Sequence, residues 1–233
     1  MSDERSRSGP ILRHDERVAP SSEIAHADDE RISKHLETHF GGVGMVWHEI
    51  VSERIHLDVH HVPATEQRPY QVLVTSGMSA LPMTVPQGMG AESSRIELCM
   101  LLPAEWPMTQ EAFADEAVYW PIRLLKQLGR FPHEFGTWLG YGHSLPNGDP
   151  AEPYAKGTLL SGALILPPYL LGPPFFSIPG DPPIFVFQVV PVTAAEMSRK
   201  LEIGVDALLD EMDKAGVDAI GPIDPARRSA HWQ

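Results

Sequence analysis

The first forty residues divide into two patterns of polar and apolar positions. Residues 1–22 are rich in Ser, Arg, Asp and Glu and carry few large apolar side chains, which predicts a flexible N-terminal tail. From residue 22 to 40, apolar residues recur near helical spacing among charged ones. This pattern predicts a helix that ends at the pair Gly41-Gly42. The apolar positions of this helix are Ile24, Ile32, Leu36 and Phe40.

Six apolar segments further along the chain have the length and composition of β-strands. In the fourth of them, Leu98 and Met100 share one face, whereas Glu97 lies on the other. A long loop rich in Pro and Gly is expected before this strand, over residues 77–94. The predicted strands span residues 45–50, 55–62, 69–76, 95–102, 158–166 and 184–191.

Two helices are predicted in the middle of the chain, before an irregular loop. Thr109 is suited to cap a helix over residues 110–117, and Pro121 is suited to the first turn of a second helix that runs to about Gly129. Residues 129–157 are rich in Gly, Pro and aromatic residues, so we expect a structured but irregular loop there.

The last predicted helix has the clearest boundaries. Thr193 and Glu196 have the spacing of a capping box, an apolar stripe follows, and Gly216 is suited to end the helix. No internal repeat or interdomain linker is evident. The sequence therefore predicts one α+β domain over residues 23–220, with a mixed or antiparallel sheet flanked by helices, and a C-terminal tail over residues 221–233.

The charge balance limits the kinds of partner that the chain can bind. Lys and Arg number 18 and Asp and Glu number 31, for a formal net charge of −13. A surface this acidic repels phosphate groups and anionic lipids, so neither nucleic acid nor a membrane is an expected partner. It would speed the encounter with a basic protein, although an acidic surface also serves to keep a protein soluble.

The sequence also indicates a cytoplasmic location. Residues 1–20 are polar and of mixed charge, unlike a signal peptide, and the longest apolar stretch, residues 159–176, contains four prolines that a membrane-spanning helix would not tolerate. Cys99 is the single cysteine and lies in an apolar run, so we expect a buried structural thiol and not a nucleophile.

The familiar motifs of nucleotide binding and hydrolysis are missing from the sequence. Neither G-x-G-x-x-G nor G-x-x-x-x-G-K-[ST] occurs. The string from Gly142 to Pro146 is similar to a nucleophile elbow around Ser144, but proline replaces its second glycine.

A metal site is one chemical interpretation of the second predicted strand. His56, Asp58 and His60 recur at every second position and therefore share one face, roughly 6.6–7 Å apart at successive Cα atoms, with His133 and His143 as possible further ligands. Such a group could serve a metal-dependent hydrolase. The competing interpretation is that these residues form the polar, solvent-facing side of the strand.

The loop over residues 130–150 is the candidate for protein binding. It combines large aromatic side chains and hydrogen-bonding groups on a frame rich in glycine, which suits either a binding surface or a tightly packed structural corner. The candidate partner-binding residues are Trp138, Tyr141, His143, Asn147 and Asp149.

Several strings, in the same order along the chain, resemble the suppressor of fused family over roughly residues 40–215. They are Val59-His60-His61-Val62-Pro63, Arg68-Pro69-Tyr70, Leu73-Val74-Thr75-Ser76-Gly77-Met78-Ser79, Glu97-Leu98, Leu102-Pro103, Trp106-Pro107, Tyr119-Trp120-Pro121, Arg130-Phe131-Pro132-His133-Glu134, the segment Trp138–Pro150 and Leu166-Pro167-Pro168.

The resemblance implies a non-enzymatic, protein-binding domain without a cofactor, similar to the N-terminal lobe of that family. Animal members bind and restrain transcription factors of the Hedgehog pathway and carry a second lobe, which this chain is expected to lack. Bacterial members resembling this chain include immunity proteins that neutralise toxins by binding them, so a basic toxin or a regulatory protein is the expected partner. A purely structural subunit with a self-complementary interface is the remaining alternative.

Overall fold

The computed structural model describes residues 11–14, 16–19, 23–26, 29–49, 52 and 54–229. The larger part of the predicted N-terminal tail, and the last four residues of the predicted C-terminal tail, lie outside the described residues. Among the described residues, no helix combines the length and the apolar character needed to cross a membrane.

A mixed, eight-stranded sheet forms the centre of the domain. The strands are β1 Val46–Trp47, β2 Asp58–Val62, β3 Tyr70–Ser76, β4 Ile96–Pro103, β5 Ser144–Pro146, β6 Leu160–Leu166, β7 Ser177–Ile178 and β8 Ile184–Thr193. They are arranged in the order β1-β2-β3-β4-β8-β6-β5, with β7 paired to β8. Every pair is antiparallel except β4 with β8, which is parallel. All six predicted strands are present, although the first is only two residues long, whereas the short strands β5 and β7 were not predicted.

Helices cover both faces of this sheet. They are α1 Asp29–Phe40, α2 Glu116–Phe135, α3 Pro173–Phe176, α4 Ala194–Ile203 and α5 Val205–Lys214. The apolar side of α2 packs on one face, whereas α1, α4 and α5 pack on the other. In β4, Leu98 therefore contacts the core under α2, while Cys99 is buried in the core under α1. The predicted α+β class, the single domain and the buried thiol are confirmed.

Helix α2 is one continuous helix that extends beyond the predicted end at about Gly129, into the predicted loop. The predicted helix over residues 110–117 is wrong for its larger part, because a short 3-10 helix, Ala112–Ala114, precedes α2 there. Asp115 caps its first turn by accepting a hydrogen bond from the Ala117 N–H, at 2.9 Å, and Gly136 ends it at φ +59°. The helix continues through two prolines, Pro121 and Pro132. The intrinsic cost of proline inside a helix, about 3 kcal/mol each, is offset by burial of the apolar face of α2 against the sheet.

The C-terminal helical region is divided where the sequence predicted one helix. The predicted capping box of Thr193 and Glu196 is present at the start of α4. Gly204 then adopts a φ of +88° and separates α4 from α5. The chain beyond α5 also packs on the domain, since the Ile223 side chain is buried and its N–H donates to the Leu101 carbonyl oxygen at 3.0 Å.

A buried polar turn follows β3, formed by Gly77 and the short 3-10 helix Met78–Ala80, and we call it the Gly77–Ala80 turn. The fully buried carboxylate of Glu97 accepts hydrogen bonds from both the N–H and the hydroxyl of Ser79, at 2.9 and 2.6 Å. His133 Nε2 lies 2.9 Å from the Met78 carbonyl oxygen. Side chains from β4 and α2 therefore fix the conformation of this turn.

His133 should make the stability of the domain depend on pH. Burial lowers the pKa of His133 from its usual 6.5, although the hydrogen bond to the Met78 carbonyl oxygen acts in the opposite direction. As the pH falls below about 6.5, His133 of the unfolded chain binds a proton, whereas burial opposes protonation of His133 in the folded chain. The free energy of unfolding therefore falls as the pH falls. Because the histidine of the unfolded chain titrates near 6.5, about 1.4 kcal/mol is the upper limit of the loss from this residue between about pH 7.5 and about pH 5.5.

Urea denaturation at both pH values measures this effect, with His133→Gln as the comparison. Other histidines whose pKa is lowered by burial contribute in the same direction, so the wild type alone does not isolate His133. The glutamine variant should lose less stability than the wild type between the two pH values. An equal loss in both proteins would contradict the assignment to His133.

Candidate functional site

The aromatic residues of the predicted binding loop follow the end of α2. The Trp138 side chain is half-buried and packs against the core under α2, and its ring meets the His143 ring edge-on, with the centroids 4.3 Å apart. Burial lowers the pKa of His143, and the nearby Lys200 ammonium lowers it further. Trp138 and His143 therefore have the packing of a structural corner, which was the competing interpretation of this loop.

Tyr141, in contrast, is exposed on a fixed backbone. Its side chain is 44% exposed. Gly142, at φ +76°, donates its N–H to the Ile165 carbonyl oxygen at 2.8 Å, and the Ile165 N–H donates to the His143 carbonyl oxygen at 2.9 Å. The loop is therefore attached to β6 through Gly142 and His143, directly after Tyr141, so little backbone conformational entropy remains to be lost when Tyr141 contacts another molecule.

An acidic helix face lies beside Tyr141. The Tyr141 hydroxyl donates a hydrogen bond to Asp206 in α5. Burial, together with Asp206 and the neighbouring Tyr169, raises the pKa of Tyr141 well above its usual value of 10.0. Asp206, Asp210 and Asp213 are all exposed and follow one another at helical spacing. We call Tyr141, Tyr169 and these three aspartates the Tyr141 patch.

Asn147 and Asp149 lie at the other end of β5. Gly142 bonds to Ile165, whereas the Asn147 N–H donates to the Ser161 carbonyl oxygen at 2.8 Å. These two points are four residues apart along β6, or about 13 Å. Asn147 Nδ2 also donates to the Glu152 carbonyl oxygen at 2.7 Å, as expected of a turn residue. The structure therefore does not bring the five predicted partner-binding residues into one cluster.

The predicted metal ligands are only partly brought together. Among the described residues, one group of three metal-ligating side chains has its ligand atoms within 4.8 Å of one another, and it consists of His48, His56 and Asp58, here called the donor group. His60 is not a member. Because β1 pairs antiparallel with β2, with Trp47 opposite Val59, His48 directly after β1 reaches Asp58 of β2, while His60 lies further along β2.

Two parts of these sites were not predicted from the sequence, for the same physical reason. His48 lies in a strand that was predicted, but the pairing of that strand with β2 was not predicted. Tyr169 and Asp206 are distant from Tyr141 in sequence, and only the fold places them beside it. Two short strands joined by a short connection do favour antiparallel pairing, and this signal could have indicated His48.

The family can be assigned from the sequence. The model of the suppressor of fused protein family matches residues 53–228, which is more than half of the chain. The chain belongs to the suppressor of fused family. None of the curated proteins matches the sequence significantly.

Solved structures share the suppressor of fused fold with this chain. A suppressor of fused homologue from Neisseria gonorrhoeae is 20% identical with a TM-score of 0.64, over 88% of this chain and 97% of that chain. The Sufu protein in a Sufu–Fu complex is 14% identical with a TM-score of 0.61, over 88% of this chain and 93% of that chain. Drosophila Suppressor of Fused is also 14% identical with a TM-score of 0.61, but the match over 88% of this chain covers 52% of that one. The suppressor of fused assignment predicted from the sequence is confirmed.

Proposed function

We propose that this chain is a non-enzymatic, protein-binding domain that restrains a partner protein by direct contact, in an immunity-type or regulatory role. The suppressor of fused assignment supports this proposal, because a member of that family has been solved in a complex with Fu. The single observation that carries it is the exposed Tyr141 side chain, presented on a backbone that is hydrogen-bonded to β6. Rigid aromatic side chains of this kind dominate the binding energy of many protein interfaces.

The chemistry of the Tyr141 patch indicates a basic partner. Asp206 contacts the tyrosine, Asp210 and Asp213 follow it at helical spacing on α5, and the chain as a whole has a formal net charge of −13. This patch would attract a basic surface electrostatically, and dissolved salt screens that attraction. The association rate should therefore fall as the salt concentration rises. A basic toxin or a basic regulatory segment would meet these requirements.

Site-specific cross-linking in the source cells tests the proposal and can identify the partner. A photoreactive phenylalanine analogue at position 141 should give a discrete cross-linked product. The same analogue at Met45 serves as the control, because Met45 is 52% exposed but lies next to β1, at the opposite edge of the sheet from β5. Products that are identical from both positions, or absent from both, would contradict a docking site at Tyr141.

Tyr141→Ala should then weaken binding of the purified partner by about 30-fold or more. The exposed side chain contributes little to folding, so the thermal midpoint of the variant should stay close to that of the wild type. Trp138→Ala is the contrasting variant, since loss of its packing should lower the free energy of unfolding by about 3 kcal/mol. Calorimetric titration and thermal denaturation measure the two effects. Unchanged affinity in a folded Tyr141→Ala protein would count against the proposal.

A metal-dependent hydrolase is less well supported by the geometry. Glu49 is a buried carboxylate beside the donor group, since its N–H bonds to Asp58, but it forms an ion pair with Arg130. Glu49 Oε2 also accepts hydrogen bonds from Ser52 Oγ at 2.6 Å and from the Leu57 N–H at 3.1 Å. A carboxylate held in this way is not free to take a proton from water, so the donor group does not favour catalysis.

A further inference from the structure

Two histidine rings converge on one carboxylate in the donor group. His48 Nδ1 lies 2.8 Å from Asp58 Oδ2, and His56 Nε2 lies 3.1 Å from Asp58 Oδ1. Asp58 is 6% exposed, and its position is fixed because Oδ1 also accepts a hydrogen bond from the Glu49 N–H at 2.9 Å. The carboxylate therefore has a defined orientation toward both imidazoles.

The hydrogen bonds of Ser52 determine which nitrogen of His56 carries a hydrogen. Ser52 Oγ lies 2.6 Å from Glu49 Oε2, and the Glu49 carboxylate is the partner of Arg130, so the single hydroxyl proton of Ser52 is donated to Glu49. Ser52 Oγ also lies 3.2 Å from His56 Nδ1. With its own proton already used, Ser52 can only accept here, so His56 Nδ1 must be the donor.

A hydrogen on Nδ1 of neutral His56 leaves Nε2 without one. A neutral His56 protonated at Nδ1 presents the lone pair of Nε2, and that lone pair faces an Asp58 carboxylate oxygen at 3.1 Å. Two acceptors at this distance repel each other unless a positive charge lies between them. The charge must be either a proton, which makes His56 an imidazolium, or a metal ion bound to both atoms.

We propose that the donor group is a binding site for a divalent transition-metal ion, with Zn²⁺ as the best match. In the metal-free protein, a proton on His56 and a hydrogen bond from the Nδ1–H of His48 would satisfy Asp58, and a bound cation would replace both of these protons. Adjacent ligand atoms on a tetrahedral Zn²⁺ ion lie about 3.3 Å apart for bonds of about 2.0–2.1 Å. The two imidazole–carboxylate contacts of 2.8 and 3.1 Å are close to that spacing, and the ligand atoms of all three residues lie within 4.8 Å of one another.

The donor types and the exposure define the class of site. Two imidazoles and one carboxylate suit Zn²⁺, Co²⁺ or Ni²⁺, whereas Mg²⁺ and Ca²⁺ prefer oxygen ligands. The His48 side chain is 71% exposed, so one side of the site opens to solvent and water or a side chain from another molecule can complete the coordination. Ser52 supports the site by holding His56 in the tautomer that binds metal through Nε2.

Titration of metal-free, untagged protein with Zn²⁺ tests the proposal. Calorimetry should show one equivalent bound, and Co²⁺ in its place should give visible d–d absorption without a thiolate charge-transfer band, because Cys99 is buried in the core under α1. His48→Ala and His56→Ala should each weaken Zn²⁺ binding by about 100-fold or more, and Ser52→Ala by about 10-fold with unchanged stoichiometry. Because His48 is exposed, its variant should remain folded.

His39→Gln is the matched control, since His39 lies on α1 and bonds to its own helix through Nδ1, which is 2.9 Å from the His35 carbonyl oxygen. This variant should bind Zn²⁺ like the wild type. The proposal is overturned if the wild type binds no stoichiometric Zn²⁺, which would leave a proton on His56 as the balancing charge. It is equally overturned if folded His48→Ala and His56→Ala proteins retain full affinity.

Discussion

Replacing Glu97 with alanine is expected to lower the free energy of unfolding by about 4 kcal/mol or more, which would unfold much of the protein. The Glu97 carboxylate is fully buried and accepts hydrogen bonds from Thr75 Oγ1 at 2.6 Å, from the Gly77 N–H at 3.0 Å and from both donors of Ser79. Alanine removes every acceptor at once. Each unpaired buried donor costs about 1–3 kcal/mol, and the two backbone N–H groups cannot turn toward another acceptor.

Glu97→Gln is the matched variant and should be much milder, with a loss of about 1–2 kcal/mol. The glutamine oxygen can replace Oε1, which accepts three of the four hydrogen bonds. Its amide can donate to the Thr75 hydroxyl, which then acts as an acceptor. Burial also raises the pKa of Glu97, and the hydrogen bonds from Ser79 and Thr75 act against this shift. A neutral side chain of the same shape therefore avoids part of the desolvation cost.

Urea denaturation followed by circular dichroism distinguishes the two variants. We expect the midpoint to fall slightly for Glu97→Gln and strongly for Glu97→Ala, with an unchanged slope for any protein that still folds. If both variants lost the same free energy of unfolding, the hydrogen bonds accepted by Glu97 would not explain its contribution to stability. A loss below about 1 kcal/mol for alanine would mean that water replaces the carboxylate, contrary to its complete burial.

Local pattern predicted the strands but not what covers them. The alternation in β4 placed Glu97 on the face opposite Leu98, and a polar residue on one face of a strand usually indicates solvent. In this fold α1 covers that side of the sheet, and Glu97 is fully buried by the turn that follows β3. Whether a face is covered depends on contacts between segments far apart in sequence, which a period of two does not contain.

In the helices, local sequence signals predicted boundaries that the fold does not have. Pro121 and Gly129 are conventional signals for a helix start and a helix end, yet both lie within α2. The burial of Trp120, at 1% exposure, illustrates the packing that overrides these local preferences. By contrast, the capping box of Thr193 and Glu196 was predicted correctly because both of its hydrogen bonds form within four consecutive residues.

For the candidate sites, the sequence supplied the residue types and the fold supplied their neighbours. His56 and Asp58 are two residues apart on one chain segment, so periodicity was enough to predict their proximity. His48 reaches the same carboxylate across a strand pair, and Asp206 reaches Tyr141 from a helix more than sixty residues away. Trp138 and Tyr141 were equally good candidates for partner binding from the sequence. Only their burial in the structure shows that Trp138 is a packing residue and Tyr141 an exposed one.

Gly77→Ala is expected to be the most damaging of the single-methyl changes considered, with a loss of about 3 kcal/mol or more. Gly77 has a φ of +132°, which residues with a side chain rarely adopt, and its N–H must stay in place to bond Glu97. A Cβ atom there would lie 1.9 Å from the His56 carbonyl oxygen. Because the obstacle is backbone, relief requires the Gly77–Ala80 turn and the segment before β2 to separate.

Gly162→Ala is the matched control, because a Cβ atom at Gly162 would also be crowded, at 2.0 Å from Met197 Sδ. That obstacle is the end of a flexible side chain, which can rotate away, so the loss should stay near about 1 kcal/mol. Thermal and urea denaturation of both variants should rank Gly77→Ala far below Gly162→Ala. Equal stabilities would show that the turn moves as readily as a methionine side chain. Gly77 packs against His56, which belongs to the donor group. A Gly77→Ala protein that still folds should therefore also bind Zn²⁺ more weakly, whereas Gly162→Ala should bind it like the wild type. The same pair of variants thus tests whether the turn positions the donor group.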